Sequence, residues 1–326
     1  MDIKIILLFI FFSNFLFPAK IGFINANGAD CVRPIEIKQV FEKYGHTIEA
    51  TSYKFANKYT LLISQNQLAP NSKVAKKTIL ICMEPKIFCK ELYDKKITDK
   101  YACVFTFDHN LCKGNKYEKM FYPSLYKDVF DLSDDFIPFT DRKLACLLNS
   151  IIEIDSPEEN YSKRVAVAKF YDENFPNELI LYGIRGWEKY KLSIYRGFCS
   201  WHDQDRLFKE HKFCFCYENW ENDAHYISEK ILICFQNQCV PVYKGCTRIT
   251  EYIPKETFIN ANDFNSIAEI HEFISKMDEE TWMAYINAIR KFISSDESTV
   301  FTNQSHAQRL LMSVNQVLKR KNLLSK

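Results

Sequence analysis

Glycine is scarce in this 326-residue sequence: only 8 residues are Gly, about a third of the usual share. Neither G-x-G-x-x-G nor G-x-x-x-x-G-K-[ST] occurs in it, which excludes the glycine-rich loops that cradle phosphates in many nucleotide-binding proteins. If the chain binds a nucleotide, side chains and helix N-termini must therefore hold the phosphates.

An excess of charge of one sign is also missing. The 43 Lys and Arg residues nearly balance the 41 Asp and Glu residues, and the formal net charge is +2. Without a global basic field, the composition disfavours a dedicated binder of nucleic acids or acidic membranes. Hydrophobic residues make up 47% and charged residues 26%, which is typical of a folded globular protein; the length predicts about two domains or one large one.

Paired metal-binding motifs are absent as well. None of the 12 cysteines forms a C-x-x-C pair, and Cys82, Cys146 and Cys214 stand inside apolar runs, where Cys acts as a small hydrophobe. Asp203 and Asp205 have the D-x-D spacing that can hold Mn²⁺, but they stand at the start of a predicted helix. Acidic residues in a first turn favour the helix dipole, so we expect no metal site.

No hydrophobic run reaches the length of about 20 residues that a membrane-spanning helix needs. The longest uncharged run at the N-terminus is 5–19, and it would suit the core of a signal peptide. Phe17 is too bulky for cleavage after Ala19, so we expect residues 1–19 to be an uncleaved anchor; a buried element of the fold is the alternative. The expected localisation is membrane-associated, with cytoplasmic as the alternative.

From residue 20 onward, short apolar runs alternate with helical periods, which predicts an α/β protein with parallel sheets. The predicted strands are 20–24, 47–51, 59–64, 78–83, 102–107, 179–182, 212–217 and 240–243. A polar segment at 155–160 interrupts the alternation. Residues 20–155 and 156–300 are therefore predicted to be two Rossmann-like domains that face a central cleft, followed by a helical tail over 301–326. The expected ligand site is that cleft, at the carboxyl ends of the strands.

One strand–loop–helix segment carries a pattern that could bind a ligand. The apolar run 213–217 ends in Glu218 and Asn219, and a helix is predicted to open at 226–230. A helix N-terminus favours anions, Lys230 could neutralise a phosphate, and Glu229 could accept hydrogen bonds from sugar hydroxyls. The alternative is an ordinary helix whose first-turn carboxylate, Glu229, complements the dipole.

The order of the residues from 213 to 264 resembles the donor-binding region of the α-1,3/4-fucosyltransferase family, in forms close to bacterial members. The matching features are Lys212-Phe213, Glu218-Asn219, Tyr226-Ile227-Ser228-Glu229-Lys230-Ile231, Val240-Pro241-Val242-Tyr243, Tyr252-Ile253-Pro254, and Phe258-Ile259 leading to Asp263-Phe264. Linked features in one order are more specific than any short motif. Upstream, Tyr182-Gly183-Ile184-Arg185-Gly186-Trp187, Arg164 and Met83-Glu84-Pro85 fall where the family has functional elements, so the resemblance covers roughly 20–295.

The resemblance implies roles for single residues. Glu84 matches the catalytic carboxylate, although an exposed loop carboxylate is the ordinary interpretation of a lone Glu. Arg164 and Lys230 would bind the pyrophosphate, and Arg185 is a further cation, or else a structural donor in its turn. The remaining donor-binding residues that the resemblance implies are Glu218, Asn219, Tyr226 and Glu229.

The implied enzyme is a GT-B glycosyltransferase that transfers fucose from GDP-fucose to a glycan hydroxyl, with inversion and without a metal or another cofactor. The resemblance favours an α-1,3 linkage to an N-acetylglucosamine unit. Transfer by a GT-B enzyme that uses another nucleotide sugar, and an inactive glycan-binding homologue, are the alternatives. The departures are small: Ser228 replaces the Thr of many members, and the loop between Asn219 and Tyr226 is one residue longer than in animal members.

Overall fold

The computed structural model describes residues 18–25, 34–112, 114, 116–125 and 136–324. Of the predicted anchor, only Pro18 and Ala19 fall within these ranges, so the expectation for residues 1–17 lies outside the described residues. In the part of the chain that is described, no helix has the length and apolar character needed to cross a membrane.

The first sheet has six parallel strands in the order β2-β1-β3-β4-β5-β6. Its strands are β1 (Lys20–Asn25), β2 (Thr47–Ala50), β3 (Leu61–Gln65), β4 (Thr78–Ile81), β5 (Cys103–Thr106) and β6 (Tyr117–Lys119). Every residue of β3, β4 and β5 is buried. Parallel sheets are covered on both faces, which is why these strands are continuous apolar runs rather than alternating ones.

The second sheet has five parallel strands in the order β11-β10-β9-β7-β8. Its strands are β7 (Lys143–Leu148), β8 (Leu179–Tyr182), β9 (His211–Asn222), β10 (Val240–Cys246) and β11 (Ile259–Asn260). Counted within each sheet, both sheets share the order 2-1-3-4-5, to which the first adds a sixth strand. In this arrangement the ligand crevice lies at the carboxyl ends of the first and third strands, where the winding direction reverses.

Helices and short 3₁₀ turns connect the strands. The α-helices are α1 (Pro34–Lys43), α2 (Ser72–Ala75), α3 (Lys95–Thr98), α4 (Tyr161–Asn174), α5 (Trp201–Lys209), α6 (Glu229–Gln236), α7 (Ile267–Ser275), α8 (Glu279–Ser294) and α9 (Asn303–Leu324). The 3₁₀ turns are Tyr53–Lys58, Lys90–Tyr93, His109–Leu111, Phe139–Asp141, Glu188–Tyr190, Ile249–Glu251, Lys255–Thr257, Ala261–Asp263 and Glu297–Phe301. Helix α1 ends before Gly45, which takes the left-handed conformation (φ 80°) that ends many helices.

Two predicted boundaries are wrong. Strand β7 pairs with β8 and β9, so the second domain has begun by Lys143, and the predicted division at residue 155 comes too late. The predicted tail over 301–326 is not a separate unit, because Ala307, Leu310 and Val314 of α9 share the buried core of the first domain with Phe41 of α1. The chain therefore returns to the first domain after completing the second.

Contacts at the carboxyl ends of the two sheets join the domains. The ammonium group of Lys119, at the end of β6, donates to the carbonyl oxygen of Phe107 (2.7 Å) in the first domain and to that of His225 (3.3 Å) in the second. The ring of Phe107 also packs edge-on against Tyr226, at 4.9 Å between centroids. Burial lowers the pKa of Lys119 to about 8. The two carboxyl edges thus face each other, and we call the region between them the cleft.

Candidate active site

Arg164 occupies the carboxyl edge of the second sheet, where β7 and β9 diverge. Its side chain is buried, and its Nε and Nη2 donate to the carbonyl oxygen of Tyr217 of β9. Nη1 donates to the carbonyl oxygen of Ser150 after β7 (2.9 Å), and Nη2 also donates to Oδ1 of Asn219 (2.7 Å). These bonds use four of the five N–H donors of a guanidinium. The phosphate contact predicted for Arg164 stays a prediction and would use the fifth donor.

Glu218, Ser228 and Lys230 form a buried charged group beside it. The Glu218 carboxylate is 0% exposed and accepts from the Ser228 backbone N–H and hydroxyl, both at 2.7 Å. Lys230 Nζ lies 3.6 Å from Glu218 Oε2 and 3.1 Å from Ser228 Oγ. Burial raises the pKa of Glu218, and the Lys230 charge opposes that rise. Burial works against the charge of Lys230 too, but the carboxylates of Glu229 and Glu218 raise its pKa overall.

Glycine has a steric role at this group. A Cβ added to Gly245 of β10 would lie 2.4 Å from Cγ of Glu218 and 2.8 Å from the Tyr243 hydroxyl. Real Cβ atoms do not come so close to other atoms, so the Glu218 side chain needs glycine at this position. One of the few glycines of the chain thus makes room for a buried carboxylate.

Glu229 opens helix α6 and is contacted from both domains. Its Oε1 lies 3.5 Å from Lys230 Nζ, and its side chain is 31% exposed. The Glu229 carboxylate acts on Tyr122 of the first domain, because its negative charge, together with burial, raises the pKa of the Tyr122 hydroxyl well above its usual value. Ser228 is the N-cap of the helix and accepts from the Lys230 backbone N–H. The partly open Glu229 carboxylate is therefore held at the helix N-terminus.

Glu84 lies on the opposite side of the cleft, after β4. Two neighbours hold its backbone: Asn66 Oδ1 accepts from the N–H groups of Met83 (2.7 Å) and Glu84 (3.3 Å), and the Tyr93 hydroxyl donates to the Glu84 carbonyl oxygen (2.8 Å). Asn66 has a left-handed backbone (φ 56°), a conformation that Asn tolerates better than most residues. Both sides of the Glu84 peptide are therefore fixed.

The charges on the two sides of the cleft act on one another. Burial raises the pKa of Glu84, Lys230 opposes the rise, and Glu229 adds to it. Tyr226 is 3% exposed, and burial, followed by Glu218, Glu229 and Glu84 among others, raises its pKa well above the usual value. Residues that are far apart in the sequence thus lie close enough for their charges to shift one another's pKa values.

Arg185 lies at the margin of this group of interacting charges. It is exposed and follows β8. Burial raises the pKa of the Tyr161 hydroxyl to about 12, and Arg164, Lys230 and Arg185 oppose that rise. The predicted residues that the structure groups around the cleft are Glu84, Arg164, Glu218, Asn219, Tyr226, Glu229 and Lys230, with Arg185 at the edge.

Four residues of this group were missed in the sequence: Asn66, Tyr93, Tyr122 and Tyr161. Asn66 directly follows β3, and a polar residue after a buried strand is a signal that could have identified it. Tyr122 follows a strand of three residues, which is too short to show a pattern. Nothing in the local sequence distinguishes Tyr122 from the other tyrosines.

The D-x-D pair has other partners. Ser200 caps helix α5 by accepting from the Asp203 N–H, and Asp205 accepts from the Asn237 side chain at 3.0 Å. Across the described ranges, no three His, Cys, Asp or Glu side chains are placed to share a metal ion.

Comparisons with solved structures identify the fold. The chain is similar to an α1,3-fucosyltransferase solved with GDP-fucose, with a TM-score of 0.58, 15% identity, and coverage of 92% of this chain and 90% of that one. It is also similar to T4 phage BGT in complex with UDP and Mn²⁺, with a TM-score of 0.57, 12% identity, and coverage of 91% and 99%. At these identities the likeness shows the fold alone. The fold is α/β, of the GT-B glycosyltransferase type, as the sequence predicted.

Sequence comparison shows which family the chain resembles. Residues 188–321 match the model of glycosyltransferase family 10 (fucosyltransferase), C-terminal part. The 4-galactosyl-N-acetylglucosaminide 3-alpha-L-fucosyltransferase 9 of Mus musculus is 27% identical over 156 residues, 44% of this chain. The chain spans 40% of the length of that relative. The predicted resemblance to the fucosyltransferase family is confirmed.

Proposed function

We propose that this chain is an inverting fucosyltransferase that transfers fucose from GDP-fucose to a glycan hydroxyl, without a metal ion. The proposed acceptor position gives an α-1,3 linkage to an N-acetylglucosamine unit. The observation that carries the proposal is the placement of Lys230 and Ser228, at a helix N-terminus, opposite Glu84, whose backbone is held and whose carboxylate feels the charge of Lys230. The matched family and the name of the mouse relative supply the sugar and the acceptor class.

The second domain binds the donor in this proposal. Lys230 and the N-terminus of α6 face the diphosphate, which leaves with an added negative charge that cations and helix dipoles stabilise. Glu229, which is partly exposed, accepts hydrogen bonds from sugar hydroxyls. Glu218 is completely buried and acts as a positioning residue, because it orients Lys230 and Ser228 instead of facing the cleft.

The first domain supplies the base. Glu84 takes the proton from the acceptor hydroxyl as that oxygen bonds to C1 of fucose, while the bond from C1 to the β-phosphate oxygen breaks and GDP leaves. Attack from the side opposite the diphosphate inverts C1. A general base works best when its pKa is near the operating pH. The raised pKa of Glu84 favours this role, and Lys230 helps to keep the carboxylate ionised.

Release of GDP from GDP-fucose, with and without glycan acceptors, tests the proposal. Turnover that requires an N-acetylglucosamine-containing acceptor and persists with a chelator supports it. Equal turnover of another nucleotide sugar would identify a different GT-B transferase. Binding of glycan without donor binding or turnover would identify an inactive homologue.

We also propose that residues 5–19, uncharged in sequence, attach the chain to a membrane. The full chain should then sediment with membranes, whereas a chain that starts at Lys20 should stay in the supernatant and keep its transfer activity. Full-length protein found only in the supernatant would contradict this attachment.

A further inference from the structure

The near-zero net charge conceals an uneven distribution of charge along the chain. Residues 50–83 contain five lysines and no Asp or Glu, and residues 298–326 contain five basic residues and no Asp or Glu. Long segments of one sign are unusual in a chain with balanced charges, and they mark surfaces that attract ions of the opposite sign.

The fold brings these segments together at the amino end of the first sheet. Lys77, just before β4, donates to the carbonyl oxygens of Ala56 (2.7 Å) and Tyr59 (3.1 Å), which precede β3. Lys321, near the end of α9, donates to the carbonyl oxygen of Thr60 (3.3 Å). We call this surface the basic face. It consists of Lys43, Lys54, Lys58, Lys73, Lys76, Lys77, Lys319, Arg320 and Lys321.

Acidic side chains are few on the basic face and are partly neutralised. Glu49 of β2 pairs with Lys20 at 2.6 Å, and Glu42 of α1 lies 3.8 Å from Lys38. Lys54, Lys58, Lys73 and Lys76 are exposed. A bound anion would therefore meet an excess of positive charge.

Exposed aromatic rings interrupt the basic face. Phe55 is 43% exposed, and the ammonium groups of Lys54 and Lys58 lie 5.8 and 4.8 Å from its ring centroid. Tyr44, which follows α1, is 40% exposed. Aromatic rings set among lysines are typical of surfaces that rest in the interface of a lipid bilayer.

The chain also enters the first domain at this face. The carbonyl oxygen of Ala19 accepts from Thr47 N at 3.0 Å, at the amino end of β1 and β2. Ala19, the last residue of the uncharged sequence 5–19, therefore lies beside the basic face. Glu84 and the cleft lie at the opposite, carboxyl end of the same sheet.

We infer that the basic face docks on an anionic lipid bilayer, with lysines at the headgroups and Phe55 in the interfacial region. Lysines explain attraction to any polyanion, but exposed aromatic rings and an adjoining apolar segment favour a bilayer. Docking by this face would point the cleft away from the membrane and leave it open to acceptors. This inference amends the expectation drawn from the net charge. The net charge is a sum over the whole chain and does not show that one end of the first domain is basic.

Binding of the full chain to vesicles tests the inference. The probes are vesicles of phosphatidylcholine alone and vesicles that also contain phosphatidylserine, so that any attachment through residues 5–19 contributes to both. Wild-type protein should prefer the anionic vesicles, and salt should weaken the preference. A basic residue near an anionic surface contributes about fivefold in affinity, so K54Q/K58Q/K73Q should reduce the preference by about 100-fold.

Matched variants distinguish docking of the basic face on a bilayer from binding by other lysines or to any polyanion. K169Q/K255Q/K291Q removes three exposed lysines of the second domain and should keep the wild-type preference. Phe55→Ser should weaken binding to anionic vesicles but leave retention on heparin unchanged. Equal wild-type binding to both vesicle types would overturn the inference. The inference would also be overturned if Phe55→Ser bound vesicles like wild type while K54Q/K58Q/K73Q lost its retention on heparin. GDP affinity should be unchanged in every variant, so failure here leaves the proposed function untouched.

Discussion

The two sheets share a strand order, yet their carboxyl edges carry different chemistry. The second edge holds a buried network of opposite charges, in which Arg164 and Lys230 are bonded to carbonyls, a hydroxyl and carboxylates. At the first edge, Glu84 has a half-buried side chain, and the neutral groups of Asn66 and Tyr93 hold its backbone. In the proposed reaction, the cations of the second edge bind the leaving diphosphate, and the carboxylate of the first edge accepts a proton. If the proposal is right, the same topology supports binding at one edge and proton transfer at the other.

The largest expected effect comes from removing the base at the first edge. Glu84→Gln keeps the shape of the side chain but cannot accept a proton. Loss of a positioned general base costs about 10²- to 10⁴-fold in rate, so transfer should fall by about that factor. Glu91→Gln, an exposed change in the same connection between β4 and β5, is the control and should transfer like wild type.

The pH dependence sharpens this prediction. Burial raises the pKa of Glu84, so Glu84 should become protonated, and transfer should fall, at a pH above the usual pKa of a glutamate. That acid limb should be absent from the residual activity of Glu84→Gln. If the transfer rate of Glu84→Gln falls at the same pH as that of wild type, a group other than Glu84 causes the fall.

Next in size is the loss of stability when the central cation of the second edge is removed. Arg164→Ala leaves the carbonyl groups of Tyr217 and Ser150 and the side chain of Asn219 without their donors. Breaking such a buried charged network costs about 3–5 kcal/mol, which denaturant unfolding can measure. The same variant should also bind GDP more weakly. Wild-type stability would show that Arg164 is not the structural centre of this edge.

Removal of the phosphate-facing cation should have a smaller effect. Lys230→Ala loses one charge-assisted contact, worth about 1.5–3 kcal/mol or roughly 10- to 150-fold in GDP affinity. Lys276→Ala, an exposed lysine paired with Glu272, is the control. Chelators should leave GDP affinity unchanged in all three proteins. Isothermal titration with GDP measures both effects, and wild-type affinity in Lys230→Ala would exclude the assignment.

The smallest expected effect concerns the residue that positions Glu84. Asn66→Gly keeps the left-handed backbone but loses the acceptor for the Met83 and Glu84 N–H groups. Since a neutral hydrogen bond contributes about 0.5–1.5 kcal/mol, we expect kcat to fall about 10-fold with KM for the donor unchanged. Asn66→Asp retains an acceptor and should recover most of the rate. Equal loss in both variants would mean that the hydrogen bond is not the cause.

Local patterns predicted the buried strands, because a parallel strand covered on both faces is an apolar run of defined length. Strand β8 was predicted with the bounds observed, and the other predicted strands differ from the observed ones at their ends. The donor-binding role of the residues from Glu218 to Lys230 was predicted from their order in the chain and stays a prediction. Strand β6 was missed because it has only three residues.

Contacts between distant parts of the chain could not be read from the sequence. The return of α9 to the first domain depends on apolar contacts with α1 that join the two ends of the chain. The influence of the Glu229 charge on Tyr122 crosses between domains, and the hydrogen bonds of Arg164 to backbone carbonyls carry no signature in residue type. These features arise from tertiary packing, which periodicity and motifs do not encode.

The division of roles between the two edges is tested most directly by measuring GDP affinity and transfer rate at saturating GDP-fucose in Glu84→Gln and Lys230→Ala, side by side. Glu84→Gln should bind GDP like wild type and transfer about 10²- to 10⁴-fold more slowly. Lys230→Ala should bind GDP roughly 10- to 150-fold more weakly. A Glu84→Gln variant that keeps more than about a tenth of the wild-type rate when chemistry is rate-limiting would contradict the assignment of the base to the first domain.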